Sequence, residues 1–175
     1  CYDVCHQAVE FEDAPTAIAA LSRAGIRINK VHLSCAIEAV DVGGDAAVRQ
    51  ALGRYVEPRY LHQTFARDPA GGILSYEDLN HSLLEHPAAA WRRAACWRVH
   101  FHVPLDARSL GPLGTTRPDL EAALPVVAAL PYAPHLEVET YTWEVLPDGG
   151  RPQVVTGLAR ELRAAADLLE QSTAG

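Results

Sequence analysis

The sequence predicts an α/β chain in which parallel strands are joined by crossover helices. Three observations lead there. Four short segments rich in β-branched and aromatic residues alternate in character, the period-2 mark of strands. Amphipathic patterns with helical spacing lie between them. Strand, helix and strand then recur in order, as parallel pairing requires. At 175 residues the chain is long enough for one domain with a sizeable core.

The elements follow in order. Cys1-Tyr2-Asp3-Val4 reads as the stub of a first strand. Asp13 can cap a helix over residues 14–24, with Pro15 in its first turn and Gly25 just past its end. Residues 26–34 form a second strand and 45–55 a helix. Residues 56–96 break the rhythm, with Tyr60-Leu61-His62-Gln63, then Gly71-Gly72, then polar helical pieces up to Trp91. This stretch is expected to be an inserted hairpin plus helices over the functional face. Residues 97–103 form the third strand, 119–130 a helix started by Thr116 or Pro118, and 136–143 the fourth strand. The last helix, 152–171, carries Val155, Leu158, Leu162, Ala165 and Leu169 on one stripe.

Composition narrows the function classes. The chain is 49% hydrophobic and 21% charged, with a net charge of −7, so a phosphate-tracking nucleic-acid surface is not expected. No segment approaches the ~20 apolar residues of a membrane span. The four cysteines, at 1, 5, 35 and 96, form neither a zinc-finger spacing nor a secreted disulfide pattern. They point to a reducing cytoplasm, with Cys35 and Cys96 as small core residues and Cys1 and Cys5 as structural filling beside Asp3. The chain holds no methionine and shows no signal peptide, from which an upstream segment is expected to be missing.

The polar residues on otherwise apolar strands carry the chemistry. Asp3 and His6 end the first strand and His32 the second. His100 and His102 share a face of the third, and Glu137 and Glu139 a face of the fourth. Parallel strands converge at their C-terminal ends, so these groups are expected to meet. Carboxylate with imidazole suits Zn, Mn, Fe or Co. Taken singly, each residue has an ordinary reading: a strand histidine is more often hydrogen-bonded in the core, Glu137 can pair with Arg98, and His62-Gln63 can close a hairpin. His81, His86 and His135 are expected to do nothing specific. Charged groups on all four strands argue together for a pocket, because a buried carboxylate is costly without a partner. Gly-rich phosphate loops and nucleophile elbows are absent, and Trp91-Arg92-Arg93 with Trp97-Arg98 reads as packing.

Cys1-Tyr2-Asp3-Val4-Cys5-His6, Lys30-Val31-His32-Leu33-Ser34 and Leu136-Glu137-Val138-Glu139-Thr140 resemble the metal-bearing strands of xylose-isomerase-like barrels, the superfamily of sugar-phosphate isomerases and epimerases and of endonuclease IV-type nucleases. Tyr60-Leu61-His62-Gln63, His100-Phe101-His102-Val103-Pro104-Leu105 and Glu137-Val138-Glu139-Thr140-Tyr141-Thr142-Trp143 are more closely similar to the metabolite-traffic barrels of ebo-type gene clusters. The resemblance implies the C-terminal half of a TIM barrel, about four βα units, that needs its upstream half for a complete fold. It implies Asp3, His32 and Glu139 as metal ligands, His6 as a ligand or substrate contact, and His100 or His102 completing the set. His6 and Glu139 would handle protons, and Lys30, His62, Gln63, Glu137 and Tyr141 are weaker candidates for substrate contacts. The superfamily's further ligand Glu, from the preceding strand, has no counterpart here.

Three functions follow as expectations. The first is a metal-dependent enzyme acting on a small metabolite by isomerase-like chemistry. The second is a non-catalytic barrel that binds or hands over a lipophilic precursor. The third is phosphodiester hydrolysis, which the acidic chain disfavours. A half-barrel standing alone would also expose an apolar face and be expected to aggregate or dimerise.

Overall fold

The computed structural model describes residues 1–147 and 154–173. Two sheets share one core. The first has three parallel strands in the order β1-β2-β9, formed by Tyr2–Asp3, Lys30–Leu33 and His135–Val138. The second has six antiparallel strands in the order β5-β4-β6-β3-β8-β7. Their spans are Cys35–Val40 (β3), Thr64–Arg67 (β4), Ile73–Tyr76 (β5), Cys96–Val103 (β6), Ser109–Leu110 (β7) and Leu113–Thr115 (β8). The mixed α/β class is as expected. Among the described residues, however, the parallel strands number three and do not close into a barrel.

The third expected strand is where the reading departs. Residues 96–103 run antiparallel between β3 and β4, with Val40 opposite Cys96 and Thr64 opposite Val99. Two short connections explain this. Ser34 alone separates β2 from β3, so one extended stretch leaves the parallel sheet and enters the other. The hairpin β4–β5, read as an insertion, then supplies β6 with its second partner. The fourth strand also ends early, at Val138, and Tyr141–Glu144 form a 3-10 turn instead.

Helix starts obey the capping residues. Asp3 caps α1 (Val4–Val9), Asp13 caps α2 (Ala14–Arg23) and Asp45 caps α3 (Ala46–Gly53), each carboxylate accepting from free backbone N–H groups of the first turn. Gly25 follows α2 at φ +73°, a left-handed conformation that costs glycine nothing. Short helices α4 (His81–Glu85) and α5 (Ala89–Arg93) lie between β5 and β6. Helix α6 (Arg117–Ala128) packs against α2 and against α7 (Val154–Thr173). The expected positions 152 and 153 of that last helix lie outside the described residues.

Helix α7 buries only part of the expected stripe: Ala165 is in the core and Leu169 packs against it, but the helix is rotated away from the rest. Gly157, Glu161, Ala165 and Leu168 are buried, while Val155, Leu158 and Leu162 are exposed. The reason is Trp143, whose indole lies against Gly157; a Cβ there would sit 2.2 Å from Trp143 Cη2. Its Nε1 donates to Glu161 Oε2 at 2.9 Å, which turns the helix so that its polar residue faces inward. The core itself joins both sheets through Val31, Leu33, Ile37, Val99 and Phe101, with Leu120 and Leu124 from α6. Trp91 and Trp97 meet edge-on within it, as packing residues should.

Candidate metal centre

The site forms where the parallel sheet hands over to the antiparallel one. Register places Asp3 opposite His32 and His32 opposite Glu137, so the three stand in one row across β1, β2 and β9. Glu139 follows two residues past Glu137, immediately beyond β9. The end of β6 arrives from the other sheet beside Cys35 and brings His100 and His102. Groups from four strand ends therefore meet, although one strand runs opposite to the expected direction.

Asp3 organises the near side. Its Oδ1 accepts from Cys5 N (2.8 Å), His6 N (3.2 Å) and Ser34 Oγ (3.1 Å). With that oxygen occupied, Oδ2 is left facing His32 Nδ1 at 3.1 Å and His6 Nε2 at 3.9 Å. Burial alone would raise the Asp3 pKa, but the neighbouring imidazoles of His6 and His102 and the donors from His6 and His32 bring it below the ordinary aspartate value.

His32 is the centre of the row. Its Nδ1 also lies 3.4 Å from Glu139 Oε2, so two carboxylates address one ring nitrogen. Its Nε2 is buried with no hydrogen-bond partner, the nearest carboxylate oxygen being Glu137 Oε1 at 3.9 Å. Glu137 pairs with Lys30 at 2.9 Å, which holds its carboxyl below the usual range. The expected Glu137–Arg98 pair does not form, since Arg98 is engaged by Glu38 and Asp119.

His102 is fixed from behind. A carbonyl only accepts, so the 2.8 Å contact with Glu139 O makes Nδ1 the protonated nitrogen and leaves Nε2 with its lone pair. That Nε2 lies 3.1 Å from His100 Nε2. Burial pushes the His100 pKa down to about 3, helped by repulsion from His102 and His6, and burial lowers His102 as well. Both are therefore neutral near pH 7, the form that binds metals. The His6 ring stands edge-on to His100 at 4.2 Å.

Three donor groups each bring one ligand atom apiece within 4.8 Å of one another: Asp3, His32 and Glu139; Asp3, His6 and His102; and Cys5, His100 and His102. Such groups could hold an ion. Cys5, read from the sequence as filling, is fully buried among these donor groups. The signal was its position two residues past a capping Asp, which puts it in the same helical turn as His6.

The weaker candidates divide. Tyr141 lies over the His102 ring at 4.6 Å and meets Tyr60 edge-on at 4.8 Å, so it walls the site; burial, with Cys5 and Glu139 nearby, raises its pKa to about 12. Lys30 stands at the rim with Glu137. His62 is brought elsewhere: it is buried against Phe101, on the opposite face of β6 from His100 and His102, with Glu57 Oε1 3.3 Å from its Nε2. Gln63 is exposed and contributes only its carbonyl, which accepts from His100 N at 2.8 Å. His135, expected to be idle, lies 4.0 Å from Glu137 across the solvent side.

Beside Asp3 and His6 a cavity of about 630 Å³ opens against Tyr2, Ala17, Ala20 and Leu21, within the size range of small-molecule pockets. Among the described residues no helix is long and apolar enough to cross a membrane. Comparisons with protein-family models, curated proteins and solved structures found no match to this chain.

Proposed function

We propose that this chain binds a divalent transition-metal ion, Zn, Mn, Fe or Co, on Asp3, His32 and Glu139, and acts on a small oxygen-bearing metabolite by isomerase- or epimerase-like proton transfer. The observation that carries the reading is His32. One imidazole nitrogen faces two carboxylate oxygens, at 3.1 and 3.4 Å, while the other ring nitrogen is buried and unpaired. A single N–H satisfies one oxygen well, and two carboxylates this close repel each other. A shared cation answers both problems, and the mixed oxygen and nitrogen donors fit it. The resemblance to xylose-isomerase-like and metabolite-traffic barrels supports the same reading.

When bound, such an ion polarises a carbonyl or hydroxyl oxygen. The chain supplies the rest. Ser34 and two backbone N–H groups orient Asp3. The cavity beside Asp3 and His6 accommodates the metabolite, with Ala17, Ala20 and Leu21 against its apolar part. His6, more than half exposed at the mouth, takes or returns a proton at the substrate carbon or hydroxyl, and Glu139 is the second base. Tyr141 and Tyr60 exclude water from the His102 side.

Metal-stripped protein titrated calorimetrically with Zn(II), Mn(II) and Co(II) tests the reading. Loss of one equivalent in Asp3→Asn and in Glu139→Gln, with both metal-free variants still melting cooperatively, is the expected result. Equal binding by wild type and both variants overturns the site. Loaded protein incubated in D2O with aldoses, ketoses and their phosphates should exchange hydrogen next to the carbonyl. Metal binding without exchange on any of them overturns the catalytic part in favour of a carrier.

A further inference from the structure

We infer a second metal site of different chemistry behind the first, in which the Cys5 thiolate, His100 and His102 hold a zinc-type ion. Its donors are separate from Asp3, His32 and Glu139, so it does not rest on the reading above.

Three observations support it. A ligand atom from each residue lies within 4.8 Å of the others, and Cys5 and His102 are fully buried. The hydrogen bond from His102 Nδ1 to the Glu139 carbonyl fixes the tautomer, so Nε2 presents its lone pair toward the group. This is the way proteins orient a ligating histidine from behind. Finally, His100 Nε2 and His102 Nε2 are 3.1 Å apart. Two imidazoles sharing an ion at about 2.0–2.1 Å, with an angle between a right angle and tetrahedral, place their nitrogens about 2.8–3.4 Å apart.

The surroundings complete the argument. Asp3 holds the Cys5 backbone in place by accepting from its N–H at 2.8 Å. Sulfur with two nitrogens is a soft donor set that selects Zn(II), or Co(II) as its spectroscopic stand-in, whereas two carboxylates and one imidazole form a harder site. On binding, the Cys5 S–H proton leaves to the buffer, a sulfur–metal bond forms, and the ion sheds water in exchange for the two imidazoles. The His6 ring, edge-on to His100, covers the remaining side.

Co(II) loading of the metal-stripped full chain reads both sites separately. Wild type should take up two equivalents by elemental analysis and show a near-ultraviolet thiolate-to-cobalt charge-transfer band. Cys5→Ser should lose that band and one equivalent, while Asp3→Asn keeps the band and loses the other equivalent. Because Cys5 is fully buried, His100→Ala serves as a second variant. Its band should require at least about tenfold more Co(II) to develop, with an unchanged melt in the metal-free state. Wild type binding one equivalent without the band overturns this site and leaves the first standing. No binding at all overturns both. A band developing in His100→Ala at the wild-type Co(II) concentration also overturns it.

Discussion

Glu139 and Glu161 flank the same piece of chain, Thr140 through Trp143, yet their surroundings differ in kind. Glu161 is fully buried and every donor around it is used: Leu105 N at 3.0 Å and Thr140 Oγ1 at 2.6 Å on one oxygen, Trp143 Nε1 at 2.9 Å on the other. Glu139 is partly open, and its carboxylate meets ring nitrogens at 3.4 and 3.5 Å that already have closer partners. A satisfied buried acid is a structural lock. The Glu139 carboxylate, by contrast, shares too few protons with its neighbours, which is the arrangement the proposed ion would relieve. The two regions are also coupled, since the lock fixes Thr140 and thereby positions Glu139, while Thr142 Oγ1 donates to the His102 carbonyl.

The largest expected effect separates the two directly. Glu161→Ala leaves Leu105 N–H, the Thr140 hydroxyl and the indole N–H without an acceptor, and urea denaturation should show a loss of about 3–5 kcal/mol. Glu139→Gln should change the stability of the metal-free protein by less than about 1 kcal/mol. Similar losses from both would erase the distinction. Next, Gly157→Ala forces a methyl group into the Trp143 indole and should cost about 1–3 kcal/mol. A neutral result there would mean that α7 docks without that contact.

A pH series sharpens the comparison further. Burial raises the Glu161 pKa above the ordinary 4.5 despite its three donors, so its stabilising contribution is complete below that value and declines as pH rises through the folded-state pKa. Asp3 is lowered below 3.8, so its contribution is present above that value and is lost as pH falls through its folded-state pKa. In metal-free protein, Glu161→Gln should flatten the decline on the rising side, and Asp3→Asn should flatten the acid limb. The opposite assignment of slopes would contradict the reading of both carboxylates. The smallest effect belongs to the rim: Lys30→Met breaks a half-exposed pair with Glu137 and should cost less than about 1 kcal/mol.

Much of the site was legible because strand chemistry is local. Alternation puts His100 and His102 on one face whatever the strand pairs with, and the same holds for Glu137 and Glu139. Asp3 was marked by its place at a strand end three residues before His6, but its work as a cap on Cys5 and His6 was not foreseen. His62 was misplaced for a matching reason. Its neighbour Gln63 lies immediately before β4, and only the pairing of β4 with β6 sends His62 to the Phe101 face. Cys5 was passed over because a buried cysteine ordinarily fills space.

By itself the amino-acid sequence determined the helix starts at Asp13 and Asp45, the mixed α/β class, and which side chains share a strand face. These depend on hydrogen bonds and periodicities within a few residues. The tertiary structure decided which strands became partners, that β6 would run antiparallel, and that α7 would bury Glu161 rather than Leu162. Those outcomes rest on contacts between residues far apart in the chain, such as Trp143 against Gly157 and Thr64 beside Val99. No local pattern encodes such contacts, because their free energy exists only once the partners meet.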